Sequence, residues 1–221
     1  MVISYVNVID GLAAAILLAS FIAVASNRTI TLVRLFALQS IALGILALAV
    51  AFYTGADHIY AVAVLALAIK GVVIPWMLMW VMDKIKVDKA VEPLVSIPAS
   101  LLVCGGLTIV AFYITQPIIF SSGAIDTITK NCLAISLAVV LIGFFTMIGR
   151  KKAMTQIMGL LTMENGLFLA AISVTYGMPM IVELGIFFDI LVAVLIMGLL
   201  AFRINKTFET VDTSILRRLR D

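Results

Sequence analysis

The sequence predicts an all-α, polytopic membrane protein with seven transmembrane helices, its N-terminus outside the cell and its C-terminus in the cytoplasm. Hydrophobic residues make up 64% of the 221 positions and charged residues 12%, which leaves too little polar surface for a water-soluble domain. The apolar residues form repeated stretches of about twenty, the length with which a helix crosses a bilayer. Lys and Arg are concentrated on one side of the predicted bundle, and this asymmetry predicts the orientation.

Polar breaks divide the chain into successive spans. The first follows a start without Lys or Arg and precedes no cleavage-site pattern, so we expect a retained helix and not a signal peptide. Pro93 and Pro98 fall at the beginning of the fourth span, where a missing amide does little harm. The longest connections are Asp83–Pro93 and Gln116–Lys130. The predicted spans are 7–26, 29–53, 58–82, 94–116, 129–149, 152–176 and 180–203.

Basic residues crowd at alternate turns of the predicted bundle. Of the fifteen Lys and Arg, Lys70 lies inside a span and Lys130 at one set of turns, which leaves thirteen on the opposite side. Because cytoplasmic turns are enriched in Lys and Arg, the crowded side is the predicted cytoplasmic side. The crowded turns follow the first, third, fifth and seventh spans, a pattern that needs an odd number of spans.

The first three and the last three predicted spans share one layout. In each set a basic turn leads into the second span, and the third span carries one buried ionisable group, as in duplicated membrane proteins. We therefore divide the chain into an N-terminal three-helix unit (1–92), a connecting transmembrane helix and loop (93–128) and a C-terminal three-helix unit with a cytoplasmic tail (129–221).

Three ionisable residues, Lys70, Glu164 and Asp189, lie near the middle of apolar spans. A charge at mid-bilayer costs roughly 3 kcal/mol, so it is normally paired, hydrated or functional. Counting from the basic edge places these residues and Gln39 roughly 17–21 Å above the cytoplasmic face, at one level. The spacing predicts a path for protons or other ions. A static ion pair of Lys70 with either acid is the alternative, and Glu183 either joins the path or reaches the outer interface.

Two further features surround these residues. In the sixth span, Gly159 and Gly166 belong to a stripe of small residues suited to close helix packing, whereas Glu164 points to the other side of the helix. In the third span, Pro75 removes a backbone donor shortly after Lys70, so we expect a kink there.

Other classes of function lack their residues. Cys104, Cys132 and His58 are isolated and predict no zinc, iron–sulfur or haem site. The sequence has no Gly-rich phosphate loop after a strand, and we expect no nucleotide site and no nucleic-acid partner. Any catalysis therefore belongs to other subunits.

Five short segments stand out in these spans: Ile69-Lys70, Pro75, Met163-Glu164-Asn165-Gly166, Val182-Glu183-Leu184-Gly185-Ile186 and Asp189-Ile190. Together they resemble hydrogenase-4 component E, a membrane subunit of group 4 energy-converting hydrogenases and formate hydrogenlyase-type complexes. The last three spans are also similar to the three-helix K-type subunit of complex I and, more distantly, to a small subunit of multisubunit cation/proton antiporters. Asp189 matches the placement of the second membrane glutamate of the K-type subunit. The first differs, because that pattern would put the acid at Leu161 and the carboxylate here is Glu164.

The resemblance implies a non-catalytic, multi-pass subunit of a complex I-related, membrane-bound hydrogenase in a prokaryotic cell (inner) membrane. Its buried carboxylates would belong to an intramembrane path for protons or sodium ions. Besides lipid, the implied partners are antiporter-like subunits, a membrane-anchor subunit and hydrophilic hydrogenase and iron–sulfur subunits. The nickel–iron centre and the iron–sulfur clusters would lie on those partners, with no cofactor in this chain. The alternatives are a purely structural scaffold between the membrane anchor and the antiporter-like subunits, and an independent carrier of a small solute.

Overall fold

The computed structural model describes residues 2–55, 57–85, 94–122 and 129–175. A π-helical turn, Ile69–Val73, joins α3 to α4 without a break, so the helices within these ranges provide six candidate membrane spans. The helices are α1 (Val2–Ala25), α2 (Thr29–Thr54), α3 (Asp57–Ala68), α4 (Ile74–Ile85), α5 (Ile97–Ser122), α6 (Lys130–Ile148) and α7 (Ala153–Thr175).

The first six predicted spans are helices with nearly the predicted bounds. The main difference is α5, which continues through Pro117 to Ser122, so the connection predicted to begin at Gln116 begins later. The three residues after this proline are apolar, and membrane helices tolerate proline because neighbouring groups satisfy the freed carbonyl. The predicted seventh span, 180–203, lies outside the described residues. The count of seven and the orientation of the termini therefore remain predictions.

The turn between α2 and α3 is built by a glycine. Gly55 has φ +67°, and its amide donates to the Ala51 carbonyl at 2.9 Å. Glycine adopts this left-handed conformation without the steric penalty of a Cβ atom, which is why it commonly follows the last residue of a helix. The helix therefore ends sharply, and α3 begins two residues later.

Two long-range hydrogen bonds show that α1 and α6 run in parallel. The Arg150 guanidinium, just after α6, donates from Nη2 to the carbonyl of Val24 at the end of α1, at 2.7 Å. At the start of α6, Asn131 donates to the carboxylate of Asp10, which lies in the first half of α1, at 2.9 Å. The α1–α2 turn and the α6–α7 turn therefore lie at the same end of the bundle, the end that the basic residues predict to be cytoplasmic.

Two apolar clusters of buried side chains fill the bundle at different levels along the helices. The first cluster joins α1, the second half of α2, α3, α6 and the last turns of α7. The second cluster joins the beginnings of α2 and α7 to α4. Along α2 the second cluster ends at Phe36 and the first begins at Ala42, and along α7 they are separated between Leu161 and Phe168. Buried polar residues lie at the level between the two clusters.

A contact between backbones joins α6 to α7. A Cβ atom added to Gly143 would lie 2.8 Å from the carbonyl oxygen of Gly159, and one added to Gly159 would lie 2.6 Å from the nitrogen of Met147. A Cβ atom on Gly166 would also come within 2.8 Å of the α6 backbone. Small residues allow membrane helices to approach this closely. The sequence indicated the stripe on α7, and the structure adds Gly143 as its partner on α6.

The surface of the bundle is apolar where a water-soluble protein would be polar. On α5, the side chains of Leu102, Ile109 and Tyr113 are between 72% and 81% exposed. Water-soluble monomers rarely expose an apolar surface of this extent. The exposed face therefore suits the hydrocarbon of a lipid bilayer.

Candidate functional site: a buried polar layer

The centre of the site is an ion pair between two helices. The Lys70 ammonium lies 2.6 Å from Oε1 of Glu164, and the two side chains are 3% and 7% exposed. Lys70 comes from the π-helical turn and Glu164 from the middle of α7. The Lys70 nitrogen also lies 5.5 Å from the centre of the Phe168 ring, one turn beyond Glu164, within the range of a cation–π contact.

The two oxygens of the Glu164 carboxylate differ in their hydrogen bonding. Oε1 accepts the bond from Lys70, whereas Oε2 is buried and has no hydrogen-bond partner among the described residues. A buried polar atom without a partner costs about 1–3 kcal/mol, and more when it is charged. Oε2 is thus an acceptor that a water molecule or a proton can use.

The π-helical turn positions Lys70. Pro75 has no amide hydrogen, and the Ile74 amide donates to the carbonyl of Ile69, five residues back, instead of that of Lys70. The wider turn accommodates the interruption that the proline imposes on the ladder of hydrogen bonds. The sequence predicted an irregularity at this place, and the structure shows its form.

Further polar contacts extend the layer from α7 through α2 to α1. The amide of Asn165 donates to the Ser40 hydroxyl at 3.3 Å. On α2, Gln39 donates to the Ser20 hydroxyl at 2.7 Å and to the carbonyl of Ile16 at 3.2 Å. Ser20, Gln39, Ser40 and Asn165 are all at most 1% exposed. Gln39 and Ser40 therefore link α2 to both α1 and α7. Glu164 and Asn165 link α7 to the π-helical turn and to α2.

The structure brings some of the predicted site residues together. Lys70 and Glu164 form the ion pair, and Gln39 lies in the same layer but contacts α1. Asp189 and Glu183 lie outside the described residues. Sequence reasoning missed Ser20, Ser40 and Asn165 as members of the layer. Two of them could have been found from their position in the sequence, because Ser40 directly follows Gln39 and Asn165 directly follows Glu164.

The described residues hold no group of three or more His, Cys, Asp or Glu side chains that could bind a metal ion. The layer instead combines one ammonium, one carboxylate, two side-chain amides and two hydroxyls. The carboxylate and the ammonium can exchange protons, and the amides and hydroxyls can hold water by hydrogen bonding.

Comparisons with known proteins agree with this architecture. Residues 131–221 match the family model of NADH-ubiquinone/plastoquinone oxidoreductase chain 4L. Rv0085 of Mycobacterium tuberculosis is 36% identical over 214 residues, which are 96% of each chain. Hydrogenase-4 component E of Escherichia coli K12 and of Shigella flexneri is 35% identical over 91 residues, 41% of this chain and 42% of those proteins. No solved structure matches the chain.

The fold and these matches define the class: a multi-pass protein of a prokaryotic membrane whose residues 131–221 are similar to chain 4L. Within that class, the chain belongs to the family that includes Rv0085 and is related over part of its length to hydrogenase-4 component E. The resemblance to hydrogenase-4 component E is confirmed for an alignment of 91 residues.

Proposed function

We propose that this chain is a non-catalytic membrane subunit of a complex I-related, membrane-bound hydrogenase and that it contributes buried carboxylates to an intramembrane path for protons or other ions. The single observation that carries the proposal is the Lys70–Glu164 pair, buried between two apolar clusters. The relationship to hydrogenase-4 component E and to chain 4L supports the kind of complex.

The burial of the pair favours a functional role over a purely structural one. Replacing a buried ion pair by apolar residues of similar volume is often neutral or stabilising. Ionisable residues inside the membrane usually mark ion paths or proton relays. If the pair served packing alone, apolar residues of similar volume could therefore replace it without loss of stability.

The geometry of the pair suggests how a proton would be held. Lys70 occupies Oε1 of Glu164, so Oε2 is the oxygen that can accept a proton from water. Protonation would neutralise the carboxylate and weaken its attraction for the ammonium. Loss of the proton would restore the pair. In this proposal the neutral and charged forms of Glu164 would favour two different arrangements of Lys70, as a relay requires.

The remaining site residues extend this proposal. Asp189 in the predicted seventh span lies at the same expected depth as Glu164 and would be the next carboxylate of the path, with Glu183 nearer the outer surface. Gln39 would extend the layer to α1 by hydrogen bonding, because an amide orients neighbours but does not titrate.

The proposed partners are those that the resemblance to hydrogenase-4 component E implies. Antiporter-like subunits and a membrane-anchor subunit would continue the path on either side. Hydrophilic hydrogenase and iron–sulfur subunits would carry the nickel–iron centre and the iron–sulfur clusters. This chain would carry no cofactor and would contribute no catalytic residue to hydrogen or electron chemistry.

The experiment compares neutral variants of the buried and exposed carboxylates in membranes that contain the whole complex. Glu164→Gln and Asp189→Asn should assemble and retain hydrogenase activity but lose ion translocation, measured as acidification or sodium uptake in inverted vesicles. Asp83→Asn, at an exposed position near the end of α4, is the matched control and should translocate normally. Normal translocation by both Glu164→Gln and Asp189→Asn, with normal levels of the complex, would refute the proposal.

A structural scaffold remains the second candidate because of the glycine contact between α6 and α7. A scaffold should tolerate Glu164→Gln, since the substitution is nearly isosteric. It should fail to assemble when Gly159 is enlarged to Leu, because the added atoms would meet the α6 backbone. Loss of ion translocation in Glu164→Gln with normal assembly would favour the ion path. Normal translocation in Glu164→Gln, together with failed assembly when Gly159 is enlarged to Leu, would favour the scaffold.

A further inference from the structure

A second polar feature lies at the opposite side of the second apolar cluster from the buried layer, where the α1–α2 turn meets the α6–α7 turn. The two turns are held together by the bond from Arg150 to Val24. The α6–α7 turn is fixed further by Gln156, whose side chain donates to the carbonyl of Arg150 at 3.0 Å. This feature is independent of the ion pair and of the proposed function.

The Arg150 side chain is an incompletely paired buried cation. The residue is 4% exposed, and Nη1 has no hydrogen-bond partner among the described residues. Burial lowers the pKa of the guanidinium, which nevertheless stays charged at any physiological pH. A buried charge is stable when it is paired, and the carbonyl of Val24 is a neutral partner. Arg150 therefore has the capacity to bind an anion.

The surroundings of Arg150 strengthen the positive potential. Arg28 and Lys151 are exposed at the same two turns. The α2 helix starts here, and Arg28 at its cap position makes no side-chain cap hydrogen bond. The hydroxyl of Thr29, in the first turn of α2, is buried without a partner among the described residues. Neither α2 nor α7 has an acidic residue in its first turn, so two positive helix ends add to the cations.

We propose that Arg150, Arg28, Lys151 and the start of α2 form a binding site for a phosphate group at the membrane surface. Backbone amides at a helix start and a guanidinium fork are the groups that bind phosphate oxygens in many proteins. Basic pockets between membrane helices on the cytoplasmic side bind anionic headgroups. A phospholipid headgroup and a free phosphate ion share this chemistry. Since Nη1 is buried, the ligand must displace a neighbouring side chain to reach it.

The test is retention of lipid by the full chain, purified in mild detergent with the subunits that accompany it. The protein is incubated with an equimolar mixture of phosphatidylglycerol and phosphatidylcholine, and bound lipid is counted by native mass spectrometry. Arg28→Gln and Lys151→Gln should each reduce retention of phosphatidylglycerol about fivefold. Arg34→Gln removes the same charge from an exposed position further along α2 and should leave retention unchanged.

Two further arms complete the experiment. Arg150→Lys keeps the charge but loses the fork that can bond the carbonyl and the phosphate together, and it should weaken retention about tenfold, with the thermal transition measured as a folding control. Competition by inorganic phosphate identifies a soluble phosphate as the ligand, and failure to compete identifies the lipid. Equal losses for Arg34→Gln and Arg28→Gln, no preference for the anionic lipid, or cross-linking of position 151 to an acidic segment of a partner subunit would overturn the proposal.

Discussion

The Gly159→Ala variant tests how tightly α6 and α7 must pack for the bundle to hold its shape. The added Cβ atom would lie 2.6 Å from the nitrogen of Met147 and 2.9 Å from the carbonyl oxygen of Gly143. Ordinary contacts of a Cβ atom begin at 3.4 Å, so the nitrogen contact is too short by 3.4 minus 2.6, or about 0.8 Å. Both neighbours are backbone atoms, and no side-chain rotation can relieve the contact.

The expected change in the free energy of unfolding has two parts. Replacing glycine by alanine inside a helix contributes about 1 kcal/mol of stability. Overpacking of a rigid contact costs about 1–3 kcal/mol, and a contact made entirely with backbone should lie toward the upper end of that range. We therefore expect a net loss of about 1–2 kcal/mol for Gly159→Ala, or a fall in the melting temperature of roughly 2–4 °C per kcal/mol for a chain of this size.

The matched control is Gly106→Ala on α5. A Cβ atom there meets nothing within 4 Å, so the helix propensity alone should act and the variant should gain about 0.5–1 kcal/mol. Unfolding of both variants is measured in the same detergent by heat and by denaturant. If Gly159→Ala proves as stable as Gly106→Ala, the backbone contact between α6 and α7 does not have the inferred geometry.

Two further predictions concern the polar layer. Lys70→Met should lower the free energy of unfolding by about 3–5 kcal/mol because it leaves the Glu164 carboxylate buried without its cation. Adding Glu164→Gln to this variant should recover most of the loss. If thermal unfolding shows no recovery, the two residues do not form the inferred pair. Ser40→Ala should cost about 1 kcal/mol by removing the acceptor of the Asn165 amide, measured in the same assay, and the Asn165→Ala background should abolish that effect.

Much of this fold can be predicted from the sequence because a lipid bilayer restricts the length and the composition of the helices that cross it. A membrane helix must satisfy its own backbone and present apolar side chains over about twenty residues, so six spans were predictable within a few residues. The end of α5 was harder: the predicted span ended at residue 116, whereas the helix continues through Pro117, which a membrane helix can accommodate. The turn after α2 is formed by Gly55, within the gap between the predicted spans 29–53 and 58–82.

The polar layer was partly predictable for a different reason. Counting residues from a basic edge gives depth, and depth placed Gln39, Lys70 and Glu164 at one level. Counting does not give the direction in which a side chain points. That depends on helix packing, which in this bundle turns Gln39 toward Ser20 on α1 and Glu164 toward Lys70.

The glycine contact and the π-helical turn together explain why the ion pair forms at this place. The α7 helix is fixed against α6 by backbone atoms on one side, so the position of Glu164 on its other side has little freedom. On the facing helix, the turn before Pro75 is wider than an α-helical turn, and Lys70 lies within it. Glu164 thus meets a base held in a backbone segment whose hydrogen bonds depart from the regular ladder.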